Sequence, residues 1–262
     1  MIGLFLILTF LISWAGWFFM PPAYGDLIMF VPGLLAAALT VYKKEKLKSL
    51  FQFGGLSNLL LGLLLPLSSF TLYLIIASMT STQTFGLPES AIAYNNGDTL
   101  KAWSRFLIFG IPYMLGVNLI FACGEEIGWR GYLLRKSKSA VKSFWLRSLI
   151  SGAIWGVWHL PIYLLAETPV ISILIFLINV CFLSVCYTWI YEKKNSVWPT
   201  ALAHGIHNTF FNSILPIITL TSSGNYLLMG EEGLIVSSSY GLIMCIGIIA
   251  FKIKPYWGKH AK

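Results

Sequence analysis

FACGEEIGWRGYLLRK, residues 121–136, sets two adjacent carboxylates, Glu125 and Glu126, at the end of an apolar run, with Arg130 four residues after the second. The chain holds only 10 Asp and Glu in 262 residues, and residues 106–123 before the pair carry no charge and are mostly Leu, Ile, Phe, Gly and Val. Either that run ends in water at Glu125, or it carries two carboxylates into a membrane. The composition favours the second. The hydrophobic fraction is 57%, the charged fraction 11% and the mean hydropathy +0.76, whereas soluble domains are nearer half apolar and a quarter charged. An apolar core of ~30 Å takes roughly 20 residues per helix. By that measure the chain reads as eight spans, 2–20, 27–42, 57–78, 106–134, 147–166, 170–191, 197–220 and 233–251. The expected fold is an all-α polytopic membrane protein, a single integral-membrane domain over residues 1–262.

The net charge of +8 does not point to nucleic acid, because the basic residues fall between the spans rather than along one face. Placing residues 43–48, 130–147, 193–194 and 252–262 on one side gathers every Lys and Arg except Lys101 and Arg105. Asp26, Glu89, Asp98, Glu167, Glu231 and Glu232 then fall on the other side. This alternation fits eight crossings with both termini in the cytoplasm and a cell-membrane location. The N-terminal run lacks a basic flank and a small-residue cleavage site, so it reads as a retained span rather than a signal peptide. Cys123, Cys181, Cys186 and Cys245 lie in apolar runs without C-x-x-C spacing and read as reduced core residues. Residues 80–98 form the one long external loop, in which Asp98 is placed to cap a helix leading into the fourth span.

Few ionisable groups remain inside the apolar runs. They are Glu125, Glu126, Arg130, His159, His204 and His207, with Asn208 beside the last. Such residues are costly in a membrane and face a bundle interior or an aqueous cavity. Counting from Arg135, Arg147 and Lys194, Glu125 lies 10 residues in, His159 12 and His204 10, each roughly 15–18 Å deep at ~1.5 Å per residue. Three helices therefore bring unusual residues to one depth, provided the fourth span continues through its motif. Glu126 and Arg130 stand i,i+4 and can pair, while Glu125 points about 100° away and is free for other work. His204 and Asn208 also share a face. Pro161 lacks an N–H and can bend the fifth span near His159. Gly124, Gly128, Gly131, Gly152, Gly156 and Gly205 permit close helix approach. Taken singly, Glu-Glu-x-x-x-Arg suits any solvated helix, and the Glu231–Glu232 pair in a loop reads that way. A lone His159 suits a bonded core residue, and His204 with Asn208 suits interhelical hydrogen bonding. It is their joint depth that favours a functional site. A direct role for His207 stays open, and His260 in the tail is expected to be inert.

Glu125-Glu126-x-x-x-Arg130, Trp155-x-x-x-His159 and His204-x-x-x-Asn208 resemble, in order and spacing, the three motifs of the CAAX protease and bacteriocin-processing (CPBP) family, which includes the type II CAAX prenyl endopeptidases. The resemblance covers residues 123–208. It implies an intramembrane endopeptidase acting on membrane-proximal or lipid-modified peptides, built as a helical bundle around a conical or cytoplasm-facing cavity. It implies that Glu125 and His159 activate the attacking water, that His204 and Asn208 stabilise the oxyanion, and that Glu126 and Arg130 support the site, with Glu126 sharing in catalysis. The second motif more often begins with Phe, and Trp155 in its place is expected to alter packing more than chemistry.

No metal is favoured, since H-E-x-x-H is absent. If zinc is bound, Glu125, His159 and His204 are the expected ligands. No G-x-S-G is present, and the Gly-Asp pairs at 25–26 and 97–98 are expected in loops, which disfavours serine and aspartyl sites. The expected partners are a membrane peptide or protein substrate and the bilayer, with no nucleic acid. The alternative reading is a non-catalytic membrane scaffold or bacteriocin-immunity-type protein of the same fold. A transporter ranks third, because the chain shows no internal repeat.

Overall fold

The computed structural model describes residues 1–81, 83–222 and 233–251. Glu231, Glu232, His260 and the basic residues 252–262 lie outside the described residues, as does the side chain of Cys245. In chain order, helix α1 spans Ile2–Phe19 and a 3₁₀ segment, Pro22–Phe30, leads into α2 (Val31–Tyr42). Helix α3 (Leu56–Met79) is followed by strand β1 (Gln83–Phe85) and helices α4 (Glu89–Tyr94) and α5 (Thr99–Arg105). A π-helical turn, Phe106–Gly110, joins α5 to α6 (Ile111–Glu126), and a second, Ile127–Leu134, joins α6 to α7 (Arg135–Ser137). Helices α8 (Phe144–Trp158), α9 (Leu160–Leu165) and α10 (Val170–Lys194) come next. Helix α11 (Trp198–His207) passes through π-helical Asn208–Ile214 into α12 (Leu215–Ile218), strand β2 (Thr219–Ser222) and finally α13 (Leu234–Phe251).

The all-α membrane architecture is as the composition demands. Among the described residues, six helices are long and apolar enough to cross a membrane: Ile2–Phe19, Pro22–Tyr42, Leu56–Met79, Thr99–Ser137, Phe144–Leu165 and Val170–Lys194. The runs at 198–218 and 234–251 are helical but are not among those six. The first of them carries His204, His207, Asn208, Asn212 and Ser213, which dilute its apolarity. Outward faces show Ile7, Leu11, Leu34, Leu64, Ile120 and Leu174, a continuous apolar exterior that suits acyl chains rather than water. The fourth span does continue through its motif, as one helical run of 39 residues. A small departure from all-α is the antiparallel pairing of β1 with β2, Gln83 opposite Ser222 and Phe85 opposite Thr219. It links two loops at one end of the bundle, where Tyr73 donates its hydroxyl to Gln83 at 2.8 Å.

Local chemistry sets the helix ends. Asp98 accepts the Lys101 N–H at 2.9 Å and caps α5, as expected. Ser143 accepts the Leu146 N–H and caps α8. Asn195 takes a left-handed conformation, φ 51°, and ends α10. Glycines allow the closest contacts. A methyl on Gly124 would lie 2.7 Å from the Met29 carbonyl oxygen, and one on Gly33 would lie 2.5 Å from that of Gly124. The 3₁₀–α2 segment and α6 therefore touch backbone to backbone directly before Glu125. Cys123, Cys181 and Cys186 are unbonded thiols.

Three basic segments meet at one end of the bundle. Glu45, between α2 and α3, pairs with Lys136 and lies 3.7 Å from Arg135. Glu192, near the end of α10, pairs with Arg147 at 2.6 Å and Lys138 at 3.4 Å. The grouping of residues 43–48, 135–147 and 193–194 on one side therefore holds. Arg130 departs from it: it is fully buried and paired with Glu126, so it belongs to the interior rather than to the loop.

Candidate active site

Glu125 lies in the last turn of α6 with no solvent exposure. Its Oε2 accepts two indole N–H groups, from Trp155 at 2.6 Å and Trp129 at 3.2 Å. Its Oε1 has no protein partner. Because Oε2 is spoken for twice, Oε1 is the oxygen left to take a hydrogen bond or a proton. Trp129 stands i,i+4 from Glu125 within the π-helical turn, a spacing visible in the sequence whose significance was missed.

The second carboxylate has other work. Glu126 Oε1 accepts from Arg130 Nη1 at 2.7 Å and faces His204 Nδ1 at 3.0 Å. All three groups are buried. The Arg130 guanidinium lies 4.6 Å from the Trp155 ring and 5.1 Å from that of Tyr187, so two π faces cover a cation that is far from water. The arrangement orients His204 from α11 by a partner on α6.

His159 sits at the break between α8 and α9. Pro161 cannot donate, and the His159 N–H closes a tight bond to Gly156 O at 3.1 Å. The Trp155 carbonyl, which a continuing α-helix would have given to that N–H, instead meets His159 Nδ1 at 3.0 Å. A carbonyl only accepts, so Nδ1 carries the proton, and in the neutral ring Nε2 is left as an acceptor. Trp17, Trp158 and Phe176 enclose the imidazole.

Trp155 thus bonds Glu125 by its indole and His159 by its carbonyl, while its ring contacts Arg130 and His204 (centroid 5.1 Å). Beyond the packing expected of it, Trp at this position adds a polar contact. Phenylalanine has no N–H to give the carboxylate.

A cavity of about 480 Å³ brings these groups together. Glu125, Trp155, His159, His204, His207 and Asn208 all line it, while Glu126 and Arg130 stand behind its wall. His207 meets the Tyr240 hydroxyl of α13 at 2.8 Å; that contact spans 33 residues and left no local trace in the sequence. Asp26 lines the cavity too. It sits on the 3₁₀ segment, whereas the sequence reading put it in a loop. From Glu125 the cavity wall runs back along α6 to Tyr113, and exposed Asp26 lines it as well. The cavity brings together Glu125, His159 and His204, the three residues that the sequence reading set at one depth.

Among the described residues, no group of three His, Cys, Asp or Glu side chains is placed to hold a metal ion. His159 Nδ1 is turned to a backbone carbonyl and His204 Nδ1 to Glu126, so in each ring Nε2 is the nitrogen that remains.

The family described as Type II CAAX prenyl endopeptidase Rce1-like matches residues 107–210. Over that stretch the chain resembles this protease family. The matched region runs from Leu107, within the fourth span, to Phe210 and contains Glu125, Glu126, Arg130, Trp155, His159, His204 and Asn208. Comparison with curated proteins finds no match. The apolar helices make the chain a multi-pass membrane protein, and its matched region is similar to a peptidase family.

Proposed function

We propose that this chain is a CPBP-family, metal-independent intramembrane endopeptidase in which Glu125 is the general base. One observation carries the reading: Glu125 is buried, held through Oε2 by two indoles, and keeps Oε1 unpartnered at the wall of a cavity shared with His159, His204 and Asn208.

In this mechanism a water held between Glu125 and His159 Nε2 attacks the peptide carbonyl. Its proton passes to Glu125 Oε1 as the C–O bond forms. The carbonyl oxygen becomes an oxyanion that accepts from the Asn208 amide and, with the ring doubly protonated, from His204 Nε2–H. Glu126 holds that imidazolium through Nδ1, and Arg130 keeps Glu126 in place. Glu125 then returns the proton to the leaving amine as the C–N bond breaks, leaving a carboxyl product and an amine product. The substrate is a peptide or protein segment at the membrane, and the location is a cell membrane with the basic end of the bundle in the cytoplasm.

The test is cleavage of a quenched fluorescent peptide library by the purified full chain in detergent. Glu125→Gln keeps shape and removes the base, so turnover is expected to fall by about 10²–10⁴-fold. Wild-type turnover in that variant refutes the assignment. Activity lost to a zinc chelator and restored by zinc refutes the metal-independent part alone.

A further inference from the structure

We infer that the segment joining α2 to α3, residues 43–53, is a binding surface for the headgroups of anionic phospholipids. The inference is independent of the endopeptidase reading, because this surface lies at the basic end of the bundle and takes no part in the cavity.

The segment reads KKEKLKSLFQF, with four lysines, one acid and four large apolar residues. Lys43, Lys44, Lys46 and Lys48 are all exposed. Glu45, the acid among them, is engaged elsewhere: Lys136 binds one carboxylate oxygen and Arg135 lies 3.7 Å from the other. Lys43 acts on that carboxylate only at longer range. Glu192, the other acid at this end, is occupied by Arg147 and Lys138. Among the described residues, none of the four lysines stands in an ion pair. Their charge is therefore left for a partner outside the chain.

The surface is fixed to the bundle at two points. Leu50 is buried, and a methyl on Gly131 would lie 3.7 Å from its side chain. Trp198 Nε1 donates to the Phe51 carbonyl at 3.2 Å. Around these pins Leu47, Phe51 and Phe53 are exposed beside the lysines. That mixture matches the boundary between headgroups and acyl chains, where a phosphate accepts from an ammonium and apolar side chains enter the hydrocarbon. A soluble anion would satisfy the lysines but leave Phe51 and Phe53 in water. Four or more Lys or Arg at a span end attract anionic lipid, each contributing about fivefold to association at low salt.

Trp198, whose ring lies 6.2 Å from that of Phe51, supplies a local readout. The full chain is reconstituted in phosphatidylcholine vesicles with increasing fractions of phosphatidylglycerol or phosphatidylcholine brominated on the acyl chains. Quenching of Trp198 is taken as the difference from Trp198→Phe. Half-maximal quenching is expected at a mole fraction of brominated phosphatidylglycerol about fivefold or more below that of brominated phosphatidylcholine. The preference should shrink at 1 M salt, where the Debye length is ~3 Å. Lys43→Gln/Lys44→Gln/Lys46→Gln/Lys48→Gln should abolish it, and Lys43→Arg/Lys44→Arg/Lys46→Arg/Lys48→Arg should keep it. Equal quenching of the wild-type chain by the two lipids overturns the inference, whether or not the variants fold. So does a preference that survives in the four-Gln variant. Loss of the preference to millimolar glycerol phosphate overturns it too, and assigns the surface to soluble anions.

Discussion

Trp155→Phe isolates one hydrogen bond within the proposed mechanism. The substitution keeps an aromatic ring against Arg130 and His204 but removes the N–H that reaches Glu125 Oε2 at 2.6 Å. A hydrogen bond to a charged group contributes about 1.5–3 kcal/mol, and roughly 1.4 kcal/mol corresponds to tenfold in rate. If the bond serves to hold the base in its reactive pose, kcat/KM falls by about 10–150-fold. Trp129→Phe removes the longer bond, 3.2 Å, and is expected to cost less. The double variant leaves Oε2 without either donor, so its loss should exceed the sum of the two single effects in free energy, as expected of groups serving one oxygen. Initial rates with the fluorescent peptide, fitted for kcat and KM, provide the readout, with melting temperature in detergent as the check on folding. An indole that only fills space would lower the melting temperature and leave kcat/KM near wild type. That result in Trp155→Phe would refute the reasoning.

Other perturbations give distinct signatures. Arg130→Leu leaves buried Glu126 without its cation and should destabilise the protein by about 3–5 kcal/mol. Glu126→Gln/Arg130→Leu should recover part of that loss in thermal unfolding, because no unpaired carboxylate remains. Gly124→Ala drives a methyl to 2.7 Å from the Met29 carbonyl oxygen and should cost about 1–3 kcal/mol, read as a fall in melting temperature larger than for Gly116→Ala, where nothing lies within 4 Å. At the basic end, the hydrogen bond from Lys136 holds the Glu45 carboxyl below its ordinary 4.5. A lowered folded value adds stability that is present above 4.5 and is lost as pH falls through the folded value. The pair is partly exposed and screened, so Glu45→Gln should remove no more than about 1 kcal/mol of pH-dependent stability, measured by thermal unfolding between pH 7 and pH 3.

What the sequence revealed follows from which interactions are local. Span length and apolarity are summed along the chain, so Ile2–Phe19 or Val170–Lys194 are readable at once. Glu126 with Arg130 is an i,i+4 pair and could be read on one helix. The shared depth of Glu125, His159 and His204 needed only a rise per residue. The rest depends on contacts across the bundle. Tyr240 reaches His207 from another helix, and Trp155 reaches Glu125 across 30 residues. Asp26 looked like a loop acid because its place on the cavity wall depends on α6 beside it. The π-helical turns at Ile127–Leu134 and Asn208–Ile214 immediately follow site residues; such turns are frequent at functional sites, but no residue pattern announced them here.

The backbone contact at Gly33 and Gly124 has a mechanical consequence. Two segments that touch without intervening side chains cannot slide or part by rotamer changes, so the 3₁₀ segment bearing Asp26 and Met29 forms one rigid frame with the helix that bears Glu125. Glu125 and the cavity-lining Asp26 and Met29 are thereby held at a fixed spacing, which no repacking of side chains alone can change.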